Sequence, residues 1–253
     1  MTVELPSLVS ELAGLLDVKQ FNDYCPNGLQ IEGRPEVRRV VTGVTANQAL
    51  IDEAVRLQAD AILVHHGYFW RGEEPVLCGM KRRRIKTLLD HDISLLAYHL
   101  PLDAHAVLGN NAQLGRLLGW ETTEPLTLHN KRPMGLVAEL AEPLSAARLR
   151  TRLAERLHRE PMHIDGGPSK IRRVAWCTGA AQSYIHHALS AGADAFISGE
   201  ISEPTTHIAR EEGIHYFAAG HHATERYGVQ ALGQWLVERF DLEHHYIEID
   251  NPV

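Results

Sequence analysis

The chain has 253 residues, enough for one large α/β domain or for two domains of about 100–150 residues each. Its 44% hydrophobic and 23% charged residues are typical of a globular protein, and its formal net charge of −7 argues against nucleic acid or an anionic membrane as the main partner. Three separated cysteines without a CxxC motif exclude a disulfide scaffold and a cysteine-ligated zinc ribbon, and they favour a reducing, cytoplasmic location. We expect no signal peptide and no membrane span.

The first part of the chain predicts alternating helices and strands. Apolar spacing predicts a helix over residues 8–15, and a short strand over 29–32 follows it. The next elements are a β-rich strand over 39–44, a helix over 47–57 and a buried strand over 61–64. This alternation favours a largely parallel sheet with helices on its faces.

The middle of the chain has the same character. Residues 134–140 predict a strand, and a short strand is expected over 162–164. Between them a helix is expected to begin near Ser145, because leucines recur at four-residue spacing: Leu149, Leu153 and Leu157. A largely parallel α/β arrangement therefore extends over most of the chain.

Two long segments of the chain resemble each other. Residues 38–66 align without gaps with residues 172–200, and both segments begin with Arg-Arg-Val. Both also contain the tripeptide Ala-Asp-Ala, centred on Asp60 in one and on Asp194 in the other. The match indicates an internal duplication, although any two β-α-β units share part of such a pattern.

The similarity continues downstream. Residues 92–103 and 212–225 each combine a short apolar strand, a histidine and a carboxylate four residues later. Matches in the same order favour duplication, and we predict two similar α/β domains with mixed, mostly parallel sheets flanked by helices. The boundary is expected near Glu124, which divides the chain into 1–124 and 125–253, and the C-terminal part is allowed to pack with the first domain.

Histidines collect at the ends of the predicted strands. Three strand ends carry them: His65 and His66, His99, and His221 and His222. Asp103 and Glu225 lie four residues beyond His99 and His221, where the next helices should begin. The carboxyl edge of a parallel α/β sheet is where ligands bind, so these side chains are expected to line a crevice.

Imidazoles and carboxylates without a thiolate form a ligand set for iron, manganese, zinc or nickel. The predicted metal ligands are His65, His66, Asp103, His221 and Glu225. One closed tetrahedral site needs only four ligands, whereas two ions bridged by a carboxylate can share five. We therefore predict a dinuclear centre with ions about 3.5–4 Å apart.

The remaining histidines, among them His163 and His215, are interpreted as hydrogen-bonded structural residues. The basic run Lys81–Arg84 with Lys86 is typical of a solvated helix face, and binding of an anionic substrate is the alternative. The sequence has no phosphate-binding P-loop, no HExxH and no GxSxG motif.

Several motifs resemble one family, the short bacterial form of the NIF-three-like proteins, which are named GTP cyclohydrolase 1 type 2 homologs. The motifs are DYCPNGLQ at residues 23–30, HHG at 65–67, YHLPLD at 98–103 and GHHATER at 220–226. The resemblance covers nearly the whole chain. It implies the same five metal ligands, two divalent ions per chain, two similar interlinked α/β domains and a ring-shaped homohexamer.

The resemblance also implies a metal-dependent hydrolase that opens the base of GTP or of another purine nucleotide. His99, one helical turn from Asp103, is then expected to transfer protons, or alternatively to orient a ligand. The opposing hypothesis is a non-catalytic ring that handles metal or binds a partner protein. Family resemblance alone does not decide between them.

Overall fold

A computed structural model describes residues 1–120, 124–129 and 132–253, which divide into two compact units. The first unit contains residues 1–102 and 228–250, and the second contains residues 103–227 and 251–253. Within the described ranges, no helix combines the length and apolar character that a membrane crossing requires.

The secondary structure alternates along the chain. Up to residue 104 the elements are β1 (Val3–Glu4), α1 (Leu5–Leu15), β2 (Gly28–Ile31), β3 (Glu36–Val37), β4 (Arg39–Thr45), α2 (Gln48–Arg56), β5 (Ala61–His66), α3 (Gly79–Asp90), β6 (Ser94–Ala97) and α4 (Leu100–Ala104). The elements that follow are α5 (Asn110–Leu118), β7 (Glu124–His129), β8 (Arg132–Leu144), α6 (Ala146–Leu157), β9 (Met162–Ile164), β10 (Ile171–Cys177), α7 (Ile185–Ser190), β11 (Ala195–Ser198), α8 (Glu203–Glu212), β12 (His215–Ala218), α9 (His221–Phe240) and β13 (Glu243–Tyr246).

The first unit is built on a sheet with the strand order β13-β4-β5-β6-β2. Strands β13, β4, β5 and β6 are parallel, and β2 pairs antiparallel with β6. Helix α2 buries Leu50, Ile51 and Ala54 in the core cluster that contains Ile62 of β5. Asn47 caps this helix, because its side chain accepts the N–H of Leu50 at 2.9 Å.

The second unit is built on a sheet with the order β7-β8-β10-β11-β12-β9. Strands β10, β11 and β12 are parallel, whereas β7, β8 and β9 run antiparallel to their neighbours. Trp176 on β10 is fully buried in the core cluster of this unit. The predicted leucine stripe of α6, formed by Leu149, Leu153 and Leu157, is buried in the same cluster.

These sheets confirm the predicted α/β class with mixed sheets flanked by helices. The first sheet is mostly parallel, as expected, whereas three of the five strand pairings described in the second are antiparallel. The internal duplication stays a prediction, and one shared backbone arrangement supports it. The Asp60 carboxylate accepts the N–H groups of Arg38 and Arg39, each at 2.8 Å. The aligned Asp194 accepts those of Arg172 and Arg173, at 2.7 and 3.0 Å. We call this arrangement the carboxylate clasp.

The division into units differs from the boundary expected at Glu124. Glu124 begins β7, which pairs with β8 inside the second sheet, so it lies within a unit. Leu114 and Leu118 on α5 are buried in the core of the second unit, so that unit begins earlier in the chain, at Asp103. Residues 228–250 return to the first unit, where β13 pairs with β4.

Candidate metal centre

Three imidazoles meet in the first unit. His65 and His66 end β5, and His99 lies between β6 and α4. The ring centroid of His65 is 4.5 Å from that of His66 and 5.1 Å from that of His99. One ring nitrogen from each of the three lies within 4.8 Å of the others, as shared metal ligation requires.

The protonation of His65 suits a metal ligand. Its Nδ1 lies 2.9 Å from the carbonyl oxygen of Tyr98, so Nδ1 carries the proton and donates it. The lone pair is therefore on Nε2. A backbone carbonyl that fixes the tautomer in this way is the usual support of a metal-bound histidine.

His99 is held by a buried carboxylate. Its Nδ1 donates to Oδ1 of Asp23 at 2.8 Å, and the Asp23 side chain is 2% exposed. Burial raises the pKa of Asp23, but hydrogen bonding and electrostatic attraction from His99 and a hydrogen bond from Asn27 outweigh it and leave the pKa below its ordinary value. Asp23 therefore stays ionised at neutral pH and orients the His99 ring.

The second unit contributes two buried carboxylates and a histidine. Asp103 lies on α4, and its Oδ1 accepts the amide N–H of Asn110 at 2.8 Å. His221 and Glu225 lie one turn apart on α9, with His221 Nε2 3.0 Å from Glu225 Oε2. On its other side, His221 Nδ1 is 2.7 Å from Oε1 of Glu200.

These carboxylates attract positive charge. Burial lowers the pKa of His221, but hydrogen bonding and electrostatic attraction from Glu225 and then Glu200 outweigh it and raise the pKa to about 9. At neutral pH the protonated His221 supplies a cation to this acidic cluster, and its proton must leave Nε2 before that nitrogen can bind a metal.

Gly179 leaves the room that this cluster needs. Its φ is +69°, and a Cβ there would lie 2.0 Å from Glu225 Oε1 and 3.3 Å from His221 Nε2. Burial, Asp103 and Glu225 raise the pKa of the nearby Cys177 thiol well above the ordinary value, so this thiol is neutral at pH 7. The oriented imidazoles of the first unit, and by themselves the buried carboxylates of the second, have the chemistry of ligands for divalent metal ions.

The structure thus brings together His65, His66 and His99 in one unit, and His221 and Glu225 in the other. Asp103 is buried in the second unit. Sequence reasoning missed the supporting residues Asp23 and Glu200. Each had one available signal: Asp23 begins the first family motif, and Glu200 aligns with the predicted ligand His66.

The basic run lies on α3, where Arg82, Arg83 and Lys86 are exposed, as a solvated face requires, whereas the Lys81 side chain is only 13% exposed. Lys81 pairs with Glu73 at 3.2 Å, and Lys86 pairs with Asp90 one turn away on the same helix. Local acidic partners therefore neutralise both lysines.

Comparisons with known proteins agree with this geometry. A family model described as Duf34/NIF3 (NGG1p interacting factor 3) matches residues 3–252. The chain is 58% identical over 252 residues to a Pseudomonas aeruginosa protein named GTP cyclohydrolase 1 type 2 homolog, and the match covers 100% of both chains. An Escherichia coli K12 protein of the same name is 54% identical over 253 residues, covering 98% of both.

Solved structures give the same result. The structure titled protein ybgI, of unknown function, is 52% identical, has a TM-score of 0.95 and covers 99% of this chain and 100% of its own. A protein from Thermus thermophilus is 31% identical with a TM-score of 0.88, over 99% of this chain and 100% of its own.

Proposed function

The chain belongs to the Duf34/NIF3 family, and on this basis we propose that it is a metal-dependent hydrolase of purine nucleotides with a dinuclear centre. The proposed metal ligands are His65, His66, Asp103, His221 and Glu225. The observation that carries the proposal is the Asp23–His99 pair, which places an oriented imidazole beside the His65 and His66 rings. The Asp23 carboxylate holds the proton of His99 on Nδ1 and so leaves the Nε2 lone pair available, as a proton-transferring residue requires.

When bound, two divalent ions supply Lewis acidity and an activated water to a hydrolytic reaction. The chain's own residues prepare the ligands. The carbonyl of Tyr98 keeps the lone pair of His65 on Nε2, and the Asn110 amide orients the Asp103 carboxylate. Glu200 accepts from Nδ1 of His221 and so directs its Nε2 toward Glu225.

His99 transfers the proton in this proposal. Its Nδ1–H stays bound to Asp23, so Nε2 is the nitrogen that accepts a proton from the attacking water and returns it to the leaving nitrogen. Imidazole suits this task because its ordinary pKa lies near neutrality. The buried Asp23 carboxylate stabilises the imidazolium that forms.

The names of the relatives point to GTP as the substrate. In the proposed reaction a first water adds to C8 of the purine and opens the five-membered ring to a formamide. A second water cleaves the formamide, so C8 leaves as formate and an amine remains on the pyrimidine ring. Two waters are consumed, and no oxidant or reductant is needed.

A turnover assay tests the enzyme proposal. Full-length, metal-replete protein is incubated with GTP and a panel of purine nucleotides, and formate is measured. His99→Gln should retain the metal and lose turnover by about 10²–10⁴-fold, the usual contribution of general acid–base catalysis. The exposed His207→Gln is the matched control and should behave as the wild type.

Two outcomes would overturn parts of this proposal. A metal-replete wild type without formate release on any nucleotide would contradict the hydrolase. If His99→Gln instead loses metal, His99 is a ligand and not the proton carrier, which its place in the three-histidine group of the first unit allows.

Metal stoichiometry tests the dinuclear centre. We expect two ions per chain, and we expect Asp103→Asn and Glu225→Gln each to weaken binding of both. If the five side chains share the same pair of ions, the double variant should be scarcely worse than the worse single variant. Manganese titration of the four proteins measures this, and a loss of one ion per substitution would mean separate sites.

A non-catalytic ring is the second candidate function. The family description names an interacting factor, which favours a protein that binds a partner protein. Such a protein could carry metal without using it for catalysis. In that case metal is retained without turnover. Light scattering tests the expected homohexamer for either function.

A further inference from the structure

A second cluster of possible metal ligands lies at the other end of the second sheet. His215 begins β12, whereas His221 follows the carboxyl end of that strand. His163 lies on the neighbouring β9, paired in register with Phe217, and Asp165 follows the end of β9. The hydrolase proposal uses none of the three residues.

The two distances to His215 Nδ1 match those between neighbouring ligands of a tetrahedral ion. His163 Nε2 is 3.2 Å from His215 Nδ1, and Asp165 Oδ1 is 3.3 Å from the same nitrogen. All three donor atoms lie within 4.8 Å of one another. Tetrahedral zinc with bonds of about 2.0–2.1 Å places neighbouring ligand atoms about 3.3–3.4 Å apart.

The surrounding backbone prepares His215 as a ligand. Its Nε2 lies 2.9 Å from the carbonyl oxygen of Pro168, so Nε2 carries the proton and the lone pair is on Nδ1. Nδ1 accepts the Nε2–H of His163 at 3.2 Å and the N–H of Gly167 at 3.4 Å, and a metal that takes this lone pair replaces both bonds and the proton on His163 Nε2. A carbonyl acceptor on the second nitrogen is the usual outer partner of a zinc-bound histidine.

His163 is held in place and is uncharged. Its ring stacks on Phe217 with centroids 4.4 Å apart and planes within 7°. Burial and the neighbouring His215 lower the pKa of His163, although Asp165 opposes them. The imidazole is therefore neutral at pH 7, as metal binding requires.

We propose that His163, His215 and Asp165 form a separate, mononuclear site for a divalent transition metal, best zinc. The His215 side chain is 4% exposed and the Asp165 side chain 83%, whereas His163 is half-buried, so an ion reaches the buried His215 imidazole from the exposed side of the cluster. Three protein ligands leave a fourth position to solvent. Because β9 is an edge strand, a bound ion would tie it and the turn that follows it to β12.

Zinc content and zinc-dependent stability test this site. Full-length wild type, His163→Phe and Asp165→Asn are stripped with chelator, reloaded with zinc and analysed for metal. Phenylalanine keeps the stacking on Phe217, and asparagine keeps the size of an exposed side chain. Each variant should bind one zinc fewer per chain than the wild type and show a smaller zinc-dependent rise in Tm. His207→Gln is the control and should match the wild type.

The outcome is independent of the hydrolase proposal. If the dinuclear centre does not exist, the zinc content of all four proteins is lower by the same amount. The His163–His215–Asp165 site is tested by the difference in zinc content between each variant and the wild type. Equal zinc content and equal Tm rise in all four proteins would overturn the site. Equal Tm values in chelator would show that the substitutions leave the fold intact, and Asp165→Asn alone decides if His163→Phe does not fold.

Discussion

The amino edges of the two sheets share a backbone arrangement and differ in chemistry. Both have the carboxylate clasp, and the residue that begins the third parallel strand donates its N–H at 3.0 Å to the carbonyl of Asp60 or Asp194. That residue is Ser94 in the first sheet and His215 in the second. Each accepts a glycine N–H, Ser94 from Gly33 and His215 from Gly167.

The carboxyl edges of the two sheets also differ in the side chains that they present. In the aligned repeats Thr45 corresponds to Gly179, and His66 corresponds to Glu200. Thr45 Oγ1 lies 3.3 Å from His66 Nδ1, whereas Gly179 leaves space for Glu225 and His221. The backbone bonds at the amino edges are thus common to the two aligned segments, whereas the side chains at the strand ends differ between them.

The largest effect is expected for Gly179→Ala. A Cβ would overlap Glu225 Oε1, and a positive φ costs roughly 1–2 kcal/mol for an L-residue. We expect the free energy of unfolding to fall by about 2 kcal/mol or more, and manganese affinity to fall more than about tenfold. Thr45→Ala, its counterpart, should cost less than about 1 kcal/mol. Titration calorimetry and urea unfolding measure both, and unchanged affinity in Gly179→Ala would contradict the assignment of Glu225.

Removing a carboxylate clasp should have the next largest effect. Asp60→Ala leaves two backbone N–H groups without their charged acceptor, and we expect a loss of about 1–2 kcal/mol. Asp194→Ala should cost less, because Asp60 also binds Arg34 at 2.8 Å and is more buried. Asparagine at either position keeps an oxygen acceptor and should recover part of the loss. Urea unfolding tests the order, and equal costs would show that Arg34 adds nothing.

The smallest effect concerns a helix cap present in only one copy. Asn47→Ala removes the cap of α2 and should cost about 1 kcal/mol. The aligned Ala181 precedes a 3-10 turn at Gln182–Tyr184 and lacks the extended backbone of a cap residue. Ala181→Asn should therefore change stability by less than about 0.5 kcal/mol. A clear gain in the thermal stability of Ala181→Asn would mean that an asparagine at this position also caps the helical turn that follows it.

Local patterns predicted the elements well where one face is buried. The leucine spacing of α6 and the apolar run of β5 are direct consequences of core packing, and both lie where expected. Strand β13 left no such signal, since Glu-His-His-Tyr is polar and all four residues are only half-buried. Strand β13 pairs with β4, which lies some two hundred residues earlier in the chain. The local strand propensity of the sequence does not predict this pairing, because the pairing depends on the tertiary structure.

The sequence identified candidate ligands, which stay a prediction, but not the residues that support them. Histidines after apolar strands mark the carboxyl edge of a parallel sheet, which is how His65 and His221 were chosen. The Asp23–His99 bond and the His163–His215 contact join residues far apart in the chain, so they required the fold. His163 and His215 were interpreted as structural histidines because nothing in the sequence brings them together.

The path of the chain has a consequence for synthesis on the ribosome. The first unit contains the chain up to Leu102 and again from Gly228. Strand β13 therefore cannot pair with β4 until residues 103–227 of the second unit have been translated. At about 5–20 residues per second, residues 103–227 take roughly 6–25 s. During that interval β4 is a nascent sheet edge without its final neighbour, which is open to non-native strand pairing. Molecular chaperones that bind exposed strands would act mainly during this interval. Slower translation after residue 102 would lengthen the interval.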